Sequence, residues 1–160
     1  AGMVRDVVDQ FQIPAEAHGV RLTAETPERC VILADHIQLE RLLSNLLSNA
    51  VKYTPSAGEV AVRLSGDAAR VTIDVEDTGV GIPDEHLPHI FERFYRVPSA
   101  NPEKGLGLGL SFVAWIVKAD GGTIDVQSRA SGGTRFRVHL PAREFESVAA
   151  PPPVLSSREK

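Results

Sequence analysis

The chain has 160 residues, of which 42% are hydrophobic and 24% charged, enough to bury one core but thin for two, so a single globular domain is expected. A formal net charge of −4 with no long Lys/Arg run leaves no basic field for a polyphosphate backbone, which argues against nucleic acid as a partner. The lone cysteine, Cys30, allows no intrachain disulfide, no apolar run approaches the roughly 20 residues that cross a bilayer, and no signal sequence opens the chain, so a soluble, cytoplasmic domain is expected.

Apolar groups at Val4, Val7, Val8 and Phe11 mark a helix that Pro14 should close soon after. Residues 20–23 and 29–33 read as short strands parted by the turn chemistry of Thr26-Pro27-Glu28, and Cys30 reads as a small buried strand residue. Asp35, three residues before Gln38, has the spacing of a helix cap. The helix it opens should run to about Tyr53, with Leu39, Leu42, Leu43, Leu46, Leu47, Ala50 and Val51 on one buried face.

Alternating stretches at 60–64 and 71–75, linked by Ser65-Gly66-Asp67, predict a hairpin with one wet face. Residues 83–104 should hold short helical pieces and a loop. A second long helix is expected over 108–120, stopped by Gly121 and Gly122. A final strand pair over 123–128 and 134–140 should turn at Ser131-Gly132-Gly133. Residues 143–160, with Pro151-Pro152-Pro153, read as a flexible tail.

Three clusters depart from what a structural core needs. Asn45 and Asn49 stand four apart on one helix face, with Lys52 and Tyr53 a turn further on. Their amide oxygens suit a magnesium ion that takes its other ligands from phosphates and water, and equally suit capping or bridging of nearby backbone. Asp77-Thr78-Gly79-Val80-Gly81, at a strand end, could accept a hydrogen bond from an exocyclic amine or could be a tight turn alone. Gly105-Leu106-Gly107-Leu108-Gly109-Leu110 meets a helix start, where free N–H groups and the helix dipole favour phosphate, yet it is neither a dinucleotide fingerprint nor a P-loop. Between the last two lies Phe91-Glu92-Arg93-Phe94-Tyr95-Arg96, whose phenylalanines read as anchors onto the core and whose arginines read as solvated or phosphate-facing.

Taken in order, the run 45–55, then Asp77-x-Gly79-x-Gly81, then Phe91-x-x-Phe94, then Gly105-x-Gly107-Leu108-Gly109 resembles the N, G1, F and G2 boxes of sensor histidine kinases, over about residues 4–141. The resemblance implies the fold of that superfamily, a two-layer α/β sandwich whose mixed, mostly antiparallel sheet carries three helices on one face. It implies that residues 1–15 are a connector from a dimerisation hairpin, and that residues 16–142 are the ATP-binding catalytic domain, with ATP and Mg²⁺ as cofactors. By resemblance Asn49 would coordinate Mg²⁺ with Asn45 alongside, Lys52 would meet phosphate, Tyr53 would lie near adenine, and Asp77 would accept from its amino group. Gly79 and Gly81 would shape the pocket floor, Gly105, Leu106, Gly107, Leu108 and Gly109 would close over the triphosphate, and Arg96 would reach the γ-phosphate.

Two departures are a short lid and Leu106, where many relatives carry Thr or Ser, so a hydroxyl contact is missing. The same superfamily includes hydrolases with a glutamate one turn before the magnesium asparagine. Here that position is Asn45, and an amide is no general base, which favours transfer over hydrolysis. None of His18, His36, His86, His89 and His139 stands in the setting of a phospho-acceptor, so the accepting histidine is expected on a separate dimerisation and phosphotransfer domain, with a response regulator as indirect partner. The isolated domain should be monomeric. The competing readings are a nucleotide-binding sensor or scaffold without transfer, and another ATPase or serine kinase of the superfamily.

Overall fold

Helix α1 (Gly2–Ala17) turns Val4, Val7, Val8 and Ala15 inward, each at most 2% exposed. The computed structural model describes residues 1–27, 35–67, 69–98, 106–128 and 132–142, so the expected strand at 29–33 with Cys30, as well as Gly105, Ser131 and the 143–160 tail, lies outside the described residues. Pro14 does not close α1 where it stands; the helix runs through it. Proline's fixed φ suits a helix, and at this exposed position the missing N–H costs a single ladder bond. The stop comes at Gly19 (φ +70°), where the N–H groups of Gly19 and Val20 donate to the carbonyls of Glu16 and Ala15, each at 2.9 Å.

Strand β1 (Arg21–Glu25) leads towards helix α2 (His36–Tyr53). Asp35 caps α2 as its spacing predicts, its Oδ1 accepting from the N–H groups of Ile37 (2.9 Å) and Gln38 (3.1 Å). The predicted stripe is buried throughout, with Leu42, Leu43, Leu46 and Leu47 at 0% exposure, so truncating any of these leucines to alanine should cost about 2–5 kcal/mol.

Strands β2 (Glu59–Gly66) and β3 (Arg70–Asp77) form the expected hairpin, longer at both ends because its polar residues also pair in the ladder. A short 3₁₀ turn, Leu87–His89, is the regular helical piece among the described residues of the following loop. Helix α3 (Gly109–Ala119), strand β4 (Thr123–Ser128) and strand β5 (Thr134–Pro141) complete the chain. Gly121 (φ +71°) stops α3 with the same pattern as Gly19, the N–H of Gly122 donating to Val117 at 2.8 Å.

The sheet order is β1-β2-β3-β5-β4, parallel between β1 and β2 and antiparallel elsewhere. Helix α1 packs on α2 and β1, α2 on β3, and α3 on β4 and β5. Leu22, Val60, Val62, Leu64, Val71, Ile73, Val75, Phe136, Val138 and Leu140 supply the sheet's share of the buried core. The opposite face is polar: Arg63 pairs with Glu25 (3.3 Å) and Glu76 (3.0 Å), and Asp74 accepts from Arg135 (2.9 Å) and Arg137 (2.8 Å). The architecture is therefore the expected two-layer sandwich, with a mixed, mostly antiparallel sheet and three helices on one face. Its topology decides the site, because inserting β5 beside β3 brings the start of β5 against Asp77 at the end of β3.

Candidate functional site

Asp77 pairs across the ladder with Thr134, and its carboxylate turns inward, leaving the residue 7% exposed. Oδ1 accepts from the N–H of Gly79 (2.8 Å) and of Thr134 (3.1 Å). Both bonds fall on Oδ1, so Oδ2 keeps its capacity for a further donor. Burial pushes the carboxyl above its usual range, with the two N–H donors opposing the shift and Glu76 adding to it.

Two glycines beside Asp77 have no room for a side chain. A Cβ on Gly79 would collide with the Tyr53 carbonyl, and one on Gly133 (φ +93°) with the carbonyl of Asp77. The N–H of Val80 donates to that Tyr53 carbonyl at 3.2 Å, which ties the C-terminal end of α2 to the glycine loop. Gly81, at φ +74°, continues the turn, and the N–H of Ile82 donates to Ser128 Oγ at 3.0 Å. Tyr53 itself is 47% exposed beside this floor, with Lys52 Nζ 5.0 Å from its ring centroid.

Helices α2 and α3 pack against each other next to this cluster. Asn45 donates through Nδ2 to the Arg41 carbonyl (2.8 Å), which leaves Oδ1 pointing at α3, where a Cβ on Gly109 would lie 2.9 Å from it. Asn45 and Asn49 are both half-buried on α2. Helix α3 begins at Gly109 behind Leu108, which makes no side-chain cap bond, and a helix N-terminus favours an anion. Leu106 is 75% exposed, and Gly107 takes φ +71°. The structure thus clusters Tyr53, Asp77, Gly79 and Gly81 with Gly133 and Thr134 at the end of β3, and separately sets Asn45 against Gly109, with Asn49 and Lys52 on the same helix as Asn45.

The aromatic segment divides. Phe91 anchors as expected, packing edge-on against Phe136 at 6.3 Å between centroids. Phe94 is no anchor: it is 66% exposed at φ +65°, with Arg93 5.9 Å over its ring. The turn that carries Phe91 inward reverses before Phe94, so two equal residues three apart do not share a face. Arg96 is exposed at the end of this segment. The histidines behave as packing or surface groups; His139 Nδ1 bonds Thr72 Oγ1 at 2.9 Å and His18 Nδ1 contacts the Pro14 carbonyl at 2.9 Å.

Comparison with known proteins now decides the family. The sequence profile of histidine kinase-, DNA gyrase B-, and HSP90-like ATPases matches residues 34–144. The chain belongs to this ATPase family, as a histidine-kinase ATP-binding catalytic domain. It is 44% identical over 144 residues to the sensor histidine kinase CusS of Escherichia coli K12, covering 89% of this chain and 30% of that protein, and 34% identical over 137 residues to the sensor protein SrrB of Staphylococcus aureus, covering 84% and 24%. Among solved structures it is similar to the mycobacterial sensor histidine kinase MprB (TM-score 0.75, 30% identity, 88% of this chain and 97% of that one). It is also similar to full-length ShkA in complex with AMPPNP (TM-score 0.78, 32% identity, 89% and 30%). The chain spans about 30% or less of the length of these curated relatives. No helix among the described residues is long and apolar enough to cross a membrane.

Two neighbours of Asp77 escape the sequence reading. Gly133 and Thr134 read from sequence as a hairpin turn and a strand start, yet Gly133 lies so close to the Asp77 carbonyl that a Cβ would collide with it, and the Thr134 N–H donates to the Asp77 carboxylate. A threonine directly behind paired glycines was the available signal, but only the β3–β5 pairing gives it meaning. His86 is a packing group of the kind expected, its Nδ1 2.6 Å from the Tyr95 hydroxyl.

Proposed function

We propose that this cleft holds Mg²⁺-ATP and passes its γ-phosphoryl group to a histidine imidazole on a separate helical-hairpin dimerisation and phosphotransfer domain, from which a response regulator would then be charged. The observation that carries the reading is the apposition of Asn45 Oδ1 to Gly109, which sets an amide, where related hydrolases set a glutamate, beside the N-terminus of α3. A neutral amide cannot take a proton from water at neutral pH, so the cleft is built to orient a phosphoryl group and leave the nucleophile to another molecule.

Each side chain then has a task. Asp77 Oδ2 accepts from the adenine amino group while Oδ1 is held by backbone donors, and Gly79, Gly81 and Gly133 keep the floor open to a flat ring. Tyr53 covers the base. Lys52, Arg96 and the N–H groups at the start of α3 face the phosphates, with Gly107, Leu108 and Gly109 forming the junction and Gly105 and Leu106 preceding it. The half-buried amide of Asn49, with Asn45 alongside, fits a hard cation that keeps most of its waters. When bound, Mg²⁺ neutralises charge on the triphosphate. We assign Asn45, Lys52 and Arg96 to the transfer itself.

Residues 1–15 at the start of α1 are proposed as the connector to the hairpin, residues 16–142 as the catalytic unit and residues 143–160 as a tail. The isolated domain is proposed to be monomeric and cytoplasmic, without nucleic-acid affinity. The reading is tested by incubating the domain with Mg²⁺, ATP and the separately produced hairpin domain of the same parent. Acid-labile phosphate on the hairpin is expected; nucleotide binding without any transfer would leave a sensor or scaffold, and brisk hydrolysis without transfer would leave an ATPase.

A further inference from the structure

Phe94 is one of two non-glycine residues with a left-handed backbone among the described residues, and its ring is largely in solvent. A bulky residue in that conformation carries strain that its surroundings must hold in place. What holds it is a close backbone contact on one side. The Phe94 N–H donates to the Gly107 carbonyl at 3.0 Å, and a Cβ on Gly107 would lie 2.8 Å from the Tyr95 carbonyl oxygen, so the two segments touch where only glycine fits.

On the other side the Tyr95 side chain is gripped by the 3₁₀ turn. Tyr95 OH and His86 Nδ1 are 2.6 Å apart, and the His89 ring lies 5.3 Å from the Tyr95 ring, tilted by 32°. The His86 side chain is 17% exposed, its Nε2 lies 3.4 Å from Glu85 Oε1, and His89 Nδ1 lies 2.7 Å from Glu92 Oε1, so both imidazoles are themselves oriented. Tyr95 is therefore constrained on both sides, through the backbone of its neighbour Phe94, which is bonded to Gly107, and through its own hydroxyl, which meets a separate turn. Arg96 follows immediately.

We propose that Tyr95, held by His86, is a positioning residue that aims Arg96 at the terminal phosphate of the bound nucleotide; this rests on the nucleotide reading above. The His86 contact fixes the direction of the Tyr95 side chain, and the Phe94–Gly107 bond fixes the backbone just before it, so the chain enters Arg96 from a constrained position. The pairing also assigns His86 a place in the site: it supports the side chain that precedes the arginine.

The test compares affinities for ADP and for the imido-bridged, non-hydrolysable ATP analogue, both with Mg²⁺, by calorimetry on this chain. Tyr95→Phe removes one hydroxyl and keeps the ring. It is expected to leave the ADP affinity within about twofold and to lower the analogue-to-ADP affinity ratio about three- to tenfold, the range of one lost hydrogen bond. In the Arg96→Ala background the same substitution should change the ratio no further, because its effect passes through Arg96. His86→Leu should match Tyr95→Phe, and His86→Asn, whose amide can reach the place of Nδ1, should restore the ratio. An unchanged ratio in Tyr95→Phe, or an equal loss with and without Arg96, overturns the proposal. Failure of the wild-type chain to bind ADP at all overturns the nucleotide reading instead, and this proposal with it.

Discussion

Asp77→Asn separates the two demands placed on one buried carboxylate. The amide is the same size, and its Oδ1 can still accept from Gly79 and Thr134, so both backbone bonds survive. What changes is charge and the second heteroatom. Burial raises the Asp77 pKa above its unfolded value, so the contribution of Asp77 to stability is fully present below the unfolded pKa and is lost as pH rises through the folded one. The neutral amide has no such loss. The variant should therefore gain stability relative to wild type as pH rises above the ordinary carboxylate range, and at pH 7 it should be at least as stable as the parent.

Binding should go the other way. The second heteroatom becomes an NH₂ group, a donor facing the donor of adenine, and a hydrogen bond to a charged acceptor is worth about 1.5–3 kcal/mol. That corresponds to a loss of about 10- to 100-fold in ATP affinity. Urea unfolding at pH 5 and pH 7, with calorimetric titration of Mg²⁺-ATP on the same preparations, reads both effects. An Asp77→Asn protein that binds ATP within twofold of wild type refutes the adenine assignment, and one that is markedly destabilised at pH 7 refutes the desolvation argument.

Further outcomes follow from other residues of the cleft and sheet. Asn49→Ala should leave the fold intact by circular dichroism yet abolish phosphotransfer, and full activity would sink the magnesium assignment. Asn45→Glu places a carboxylate beside Gly109 and the phosphates; it should lower transfer to the histidine hairpin while holding or raising hydrolysis, checked by acid-labile phosphate and released phosphate on one sample, with affinity measured to separate simple repulsion. Asp74→Ala, on the far face of the sheet, should cost about 1–2 kcal/mol in urea unfolding without changing ATP affinity, because it strands Arg135 and Arg137, both partly exposed. Burial alone would raise the Asp74 pKa, but its two arginine hydrogen bonds hold it below the usual range, so its contribution is present above the unfolded pKa and should be lost as pH falls through the folded one.

Local elements were legible where short-range physics decides them. The seven-residue apolar stripe of α2, the Asp35 cap, the Gly121 stop and strand β4 stand where spacing and capping chemistry put them, because each depends on neighbours within a turn or two. The four boxes were legible too, as ordered residues whose family resemblance implied one ligand. Tertiary structure alone decided what they touch. The insertion of β5 between β3 and β4 makes Thr134 a partner of Asp77, and no local preference of a strand names its distant neighbour. Likewise Phe91 and Phe94 are indistinguishable by type, but a backbone reversal braced by Gly107 and by the His86–Tyr95 pair packs one against the core and exposes the other. The sequence by itself determined which residues could carry the chemistry, through composition and short spacing; which of them meet was set by long-range strand pairing and close backbone contact, since both depend on chain segments far apart in sequence.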